Sequence, residues 1–152
     1  MSPAPADRAL AAADLALIEA ARDVIRQRYR ENRHHSGCAL RTRSGRSFTA
    51  VHLDTSVGRA SVCAEAIAVG SALSAGEPDI VAVVSVRHPR PRENGQGIPV
   101  VSPCGICREM LADFARDCVV IVPVDEGRTV AKVPVAELLP NKYFRITDRL
   151  PG

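Results

Sequence analysis

Between residues 14 and 30 apolar side chains recur at Leu17, Ile18, Ala21, Val24, Ile25 and Tyr29, and the opposite face is charged. That spacing predicts an amphipathic helix. The pattern then shifts to short β-branched runs at 36–43 and 47–54. They meet at Ser44-Gly45 and predict a hairpin. Ser61 is placed to cap a helix that runs to about Ala75 and stops at Gly76. Residues 80–86 are β-branched and almost wholly apolar, as in a strand buried on both faces. The polar run 88–97, HPRPRENGQG, predicts a surface loop. Ser102-Pro103 reads as the start of the next helix, and Met110, Leu111 and Phe114 continue its inner face. Strands are expected at 119–124 and 128–133 around Asp125-Glu126-Gly127. A short helix at 134–139 and a Pro140-led tail follow.

Strands alternating with helices predict an α/β fold, a three-layer α-β-α sandwich around one mixed five-stranded sheet. We expect a single domain over 13–152 behind a disordered lead at 1–12, with residues 2–7 the clearest part of that lead. Composition narrows the class. With 46% hydrophobic and 24% charged residues, the chain matches an ordinary globular protein. It has no long apolar run and no basic-then-apolar leader, so a cytoplasmic protein without a membrane partner is expected. A net charge of +3 is too mild to argue for nucleic acid. Tyr29, Tyr143, Phe48, Phe114 and Phe144 offer few platforms for stacking bases.

The cysteines carry the chemistry. There are 5, an odd number without a sign of secretion, which favours metal or redox chemistry over a disulfide framework. Two motifs stand at the starts of two expected helices: Cys63-Ala64-Glu65 and Pro103-Cys104-Gly105-Ile106-Cys107. Cys104 and Cys107 are three apart and share a helix face. Thiolates at a helix N-terminus are favoured by the dipole. Three thiolates that leave a fourth position open make a catalytic zinc arrangement, and zinc lowers the pKa of a water there to roughly 7. Glu65, two residues after a ligand, can reach that water without binding the metal. A redox pair at Cys104 and Cys107 is the alternative, weakened by the added Cys63-Ala64-Glu65. Cys38 and Cys118 read as small buried hydrophobes.

These motifs, with Ser102, Arg108 and the late Glu137-Leu138-Leu139-Pro140, resemble the cytidine deaminase family in its small three-cysteine form. The chain is also similar to the blasticidin S deaminases. The resemblance runs from about residue 17 to 143. It implies one Zn2+ per subunit on Cys63, Cys104 and Cys107, and hydrolytic deamination of a small nucleoside-like molecule. Glu65 would take a proton from water and return protons to the ring nitrogen and the leaving ammonia. Ala64 and Ser102 would contact the substrate. A homotetramer or homodimer is implied, with sites near subunit interfaces and Tyr143 reaching a neighbouring pocket.

The chain departs from the family pattern at several positions. His52 and Asp54 stand where cytidine deaminases carry an Asn-x-Glu that holds the sugar, although the loop from this pair to Cys63 has the cytidine-type length. His34-His35-Ser36 replaces an apolar Phe-Pro-Val, so His34 and His35 are candidate pocket residues. Ala66 replaces an arginine that offsets thiolate charge, which leaves Arg59 and Arg108 as candidates for that role. Cytidine or deoxycytidine is the first expected substrate. A blasticidin S-like antibiotic or another aminated heterocycle is the alternative.

Overall fold

The structure, a computed structural model, describes residues 8–145. The expected lead at 2–7 lies outside them. Arg8, just ahead of the first helix, pairs with Glu137. In chain order the elements are α1 (Ala12–Arg28), β1 (Ser36–Thr42), β2 (Ser47–Val51), α2 (Ala64–Ser74), β3 (Ile80–Arg87), β4 (Val100–Val101), α3 (Gly105–Phe114), β5 (Val119–Val124) and β6 (Thr129–Pro134). A 3-10 turn over Val135–Leu138 takes the place of the expected last helix.

The sheet runs in the order β2-β1-β3-β5-β6, with the two-residue β4 paired to the end of β3. The β3–β5 pair is parallel and the other pairs are antiparallel, so the sheet is mixed. Alternation along the strands feeds two cores. Ala82, Val84, Val86 and Ile121 pack under Leu17, Ile18, Ala21 and Ile25 of α1. Val83, Val120 and Val122 pack with Ala68, Val69 and Ala72 of α2 and Leu111 of α3. Helices therefore cover both faces, which is the three-layer sandwich expected.

Several boundaries differ from the expectation, each for a local reason. Ser61 does not cap α2. Val62 is held extended by a bridge to Leu53, so the helix starts only after Cys63, which is its N-cap. The Ser61 hydroxyl instead accepts the Thr55 N–H and donates to Asp54. Ser102 does not cap α3 either. Val100 and Val101 pair with β3, and the chain stays extended through Cys104, the N-cap of that helix. Gly76 does end α2: at φ +77° it lets its own N–H reach the Leu73 carbonyl and that of Glu77 reach Ala72. Strand β2 stops at Val51 rather than 54.

Candidate active site and metal centre

The N-termini of α2 and α3 converge beside the carboxyl end of β3, where the short β4 turns the chain back toward Cys104. Cys63 and Cys104 are the two N-caps, and Cys107 sits three residues further into α3. The three sulfurs lie within 4.8 Å of one another. The Cys63 and Cys104 sulfurs are 3.6 Å apart. A tetrahedral zinc with Zn–S bonds of about 2.3 Å would space its sulfurs by about 3.8 Å, so the donor set fits that ion.

Electrostatics point the same way. Burial opposes ionisation of Cys104, but the N–H of Cys107, the Cys63 thiol and the N–H of Ile106 outweigh it and lower its pKa. Cys63 moves up, first through burial and then through crowding by Cys104 and Glu65. Cys107 is pushed up strongly by burial and by the negative charge of Glu65, Cys63 and Cys104. The protein alone eases ionisation of Cys104 and opposes it at Cys63 and Cys107. A divalent cation between the sulfurs removes that opposition.

Beside the sulfurs is a cavity of about 200 Å³. Cys63, Ala64, Glu65, Ser102 and Cys104 form its metal end, and His35 and His52 stand in its wall. Glu65, in the first turn of α2, is only 6% exposed. The rings of His35 and His52 meet at 4.3 Å and tilt by 58°. Burial first, then His52, pushes the His35 pKa down. Asp54 opposes this, and Arg90 and Arg87 add to it, so His35 favours the neutral imidazole.

The other sequence candidates lie outside that cavity. Asp54 holds the Ser61 hydroxyl at 3.3 Å. His34 is turned away: its Nδ1 donates to the His52 carbonyl at 2.8 Å, and it lines a separate groove with Tyr29 and Thr49. Arg108 donates to the Pro103 and Leu138 carbonyls, tying the α3 approach to the C-terminal turn. Arg59 stands exposed in the turn Gly58–Ala60. Tyr143 is 75% exposed. Ser36, named in the sequence only as part of His34-His35-Ser36, lines the cavity, as do Ser85 and Val101, which the sequence reading missed. Ser85 had a visible signal, as the polar residue inside the apolar run 80–86.

A family model of the cytidine and deoxycytidylate deaminase zinc-binding region matches residues 12–122. The chain belongs to that family. This deaminase is 48% identical to a blasticidin-S deaminase of Bacillus cereus over 132 residues, 87% of this chain and 93% of the relative. It is 31% identical to a probable cytidine deaminase of Dictyostelium discoideum over 107 residues, 70% of this chain and 67% of the relative. Among solved structures it is similar to the cytidine deaminase of Burkholderia pseudomallei, with a TM-score of 0.68 and 25% identity, covering 85% of this chain and 98% of that one. The cytidine deaminase of Bacillus anthracis shares the fold at a TM-score of 0.70 and 22% identity, over 85% and 88% of the two chains. The deaminase is thus a zinc-dependent hydrolase with a three-cysteine metal site. None of its described helices is long and apolar enough to cross a membrane.

Proposed function

We propose that the protein hydrolyses the ring amino group of a blasticidin S-like aminopyrimidine nucleoside, releasing ammonia, in preference to cytidine. The observation that carries this reading is the similarity to a blasticidin-S deaminase, far higher in identity than that to the cytidine deaminases. The cavity wall supports it, because imidazoles of His35 and His52 stand where the resemblance led us to look for an apolar wall and an amide.

The chemistry is replacement of a ring C–NH2 by C=O with water as the second reactant. Zinc on Cys63, Cys104 and Cys107 supplies a Lewis acid and an activated water. Glu65 moves the protons. Its carboxylate accepts one proton from water and delivers it to the ring nitrogen, then takes the remaining proton from the hydroxyl added at the ring carbon and gives it to the amine, so that C=O forms as the C–N bond breaks and ammonia leaves. The Ala64 backbone and Ser102 orient the ring, His35 and His52 hold the sugar end, and Asp54 supports that end through Ser61. Arg59 and Arg108 together with the two helix N-termini offset the surplus thiolate charge. Tyr143 reaches the pocket of a second copy in a homotetramer or homodimer. Exposed Val62 and Ile106, each next to a metal-site cysteine, and Leu53, bridged to Val62, support such an assembly. Ligand thiols that must stay reduced suit the cytoplasm.

Ammonia release from blasticidin S, cytidine, deoxycytidine and free cytosine, with and without a zinc chelator, tests the proposal. Chelator-sensitive turnover with the highest kcat/KM on blasticidin S supports it. Equal or better turnover of cytidine returns the enzyme to the cytidine class. Light scattering tests the assembly, and a fully active monomer would remove the role of Tyr143.

A further inference from the structure

We propose that His34 is a positioning residue for the substrate pocket, acting through His52 rather than touching substrate. The inference rests on the reading of His52 as a pocket residue and explains how that imidazole is aimed.

The regular β1–β2 ladder ends at the pair Gly37 and Val51. Beyond it the two strands remain joined. The His52 N–H donates to the Ser36 carbonyl at 2.9 Å, and the Asp54 N–H to the Arg33 carbonyl at 2.8 Å. The His52 carbonyl lies between these two bonds and needs a donor. The His34 backbone N–H cannot serve, because it already donates to the Arg30 carbonyl at 2.8 Å. The His34 ring fills the gap: its Nδ1 lies 2.8 Å from the His52 oxygen. A carbonyl only accepts, so the contact fixes the proton on Nδ1. A side chain thus completes a backbone ladder where the chain bends.

The consequence falls on the pocket. The neighbouring His35 is tied to the far strand by the His88 N–H, which donates to its carbonyl at 2.8 Å. His52 is held from the opposite side through His34. The two anchors bring the rings of His35 and His52 together at 4.3 Å in the cavity wall. The Nδ1 of His52 is buried and has no hydrogen-bond partner among the described residues, so the ring is held mainly through its backbone.

The test compares His34→Ala with His34→Asn, because an asparagine amide can place a donor close to the position of Nδ1. With blasticidin S and cytidine as substrates, His34→Ala is expected to raise KM about tenfold with kcat changed less than about twofold. His34→Asn is expected to recover most of that loss. An unchanged KM in His34→Ala, or an asparagine variant no better than alanine, overturns the proposal. Nitrogen-15 NMR of the zinc-loaded protein is independent of turnover. It should show His34 protonated at Nδ1, and His52 resonances that move in His34→Ala. A His34 protonated only at Nε2, or an unmoved His52, overturns the proposal even if the substrate assignment holds. If neither nucleoside is deaminated, the substrate assignment fails and the NMR readout still decides the role of His34.

Discussion

The sulfurs of Cys63 and Cys104 lie 3.6 Å apart although 41 residues separate them in the chain. Both residues are N-caps, so the ends of two helices are brought to one point by ligands that are also caps. A cation between them therefore acts on chemistry and on the α2–α3 arrangement together. Cys104→Ser is expected to lower zinc affinity by more than the 10–100-fold usual for loss of an outer-shell partner. Chelation of the wild-type enzyme should abolish turnover and lower the melting temperature. Metal analysis and calorimetry check both. A chelated enzyme of undiminished activity would contradict the metal's role.

Glu65→Gln keeps the size of the side chain and removes its ability to carry a proton. The expected result is a kcat lower by about 10²–10⁴-fold with zinc content unchanged. Single-turnover kinetics beside metal analysis separate this from loss of the ion. Retained kcat would remove Glu65 from the mechanism.

Asp14 concerns stability. Its carboxylate is 3% exposed, accepts the Ala11 N–H at 2.9 Å, and pairs with Arg41 at 3.1 Å and Lys132 at 3.2 Å. It joins the start of α1 to β1 and β6. Burial alone would raise its pKa, but the Ala11 amide, Arg41 and Lys132 more than offset this and lower it. A carboxylate whose pKa is depressed on folding contributes stability fully above its unfolded pKa, and loses it as pH falls through the folded value. Asp14→Asn should cost about 2 kcal/mol at pH 7, since both cations keep some access to water. The difference should shrink progressively below about pH 4. Urea titrations at pH 7 and in that acid range check it, and a gap that widens in acid would be the wrong sign.

Gly37 sits on β1 beneath α1, where a Cβ would stand 2.6 Å from the Ala21 carbonyl oxygen and 3.1 Å from the Ile25 Cβ. Backbone cannot yield as a flexible side chain can. Gly37→Ala should destabilise the fold by about 1–3 kcal/mol through overpacking. At this size each kcal/mol corresponds to roughly 2–4 °C in Tm. An unchanged Tm would mean that α1 shifts at no cost.

Much of the fold could be read from the chain because its signals are local. The helical spacing of Leu17, Ile18, Ala21 and Ile25 and the apolar run of β3 each mark one element. Errors gathered where a distant partner decides the conformation. Ser61 and Ser102 are good caps by composition, yet the Leu53–Val62 bridge and the pairing of β4 with β3 hold the chain extended past both. The two-residue β4 has too little pattern to stand out.

The sequence by itself determined the metal site: residue type and spacing in Cys63-Ala64-Glu65 and Cys104-Gly105-Ile106-Cys107 specify three thiol ligands, with Glu65, the proton carrier we propose, two residues after the first. Only the tertiary structure decided which neighbours serve them. Ser85 enters the cavity because strand alternation turns it toward the helices that carry the cysteines. His34 and His35 are adjacent in the chain, yet His35 lines the cavity and His34 fastens His52. Direction in space depends on the bend at the strand end and on which carbonyl lacks a donor, and neither is encoded in the identity of a single residue.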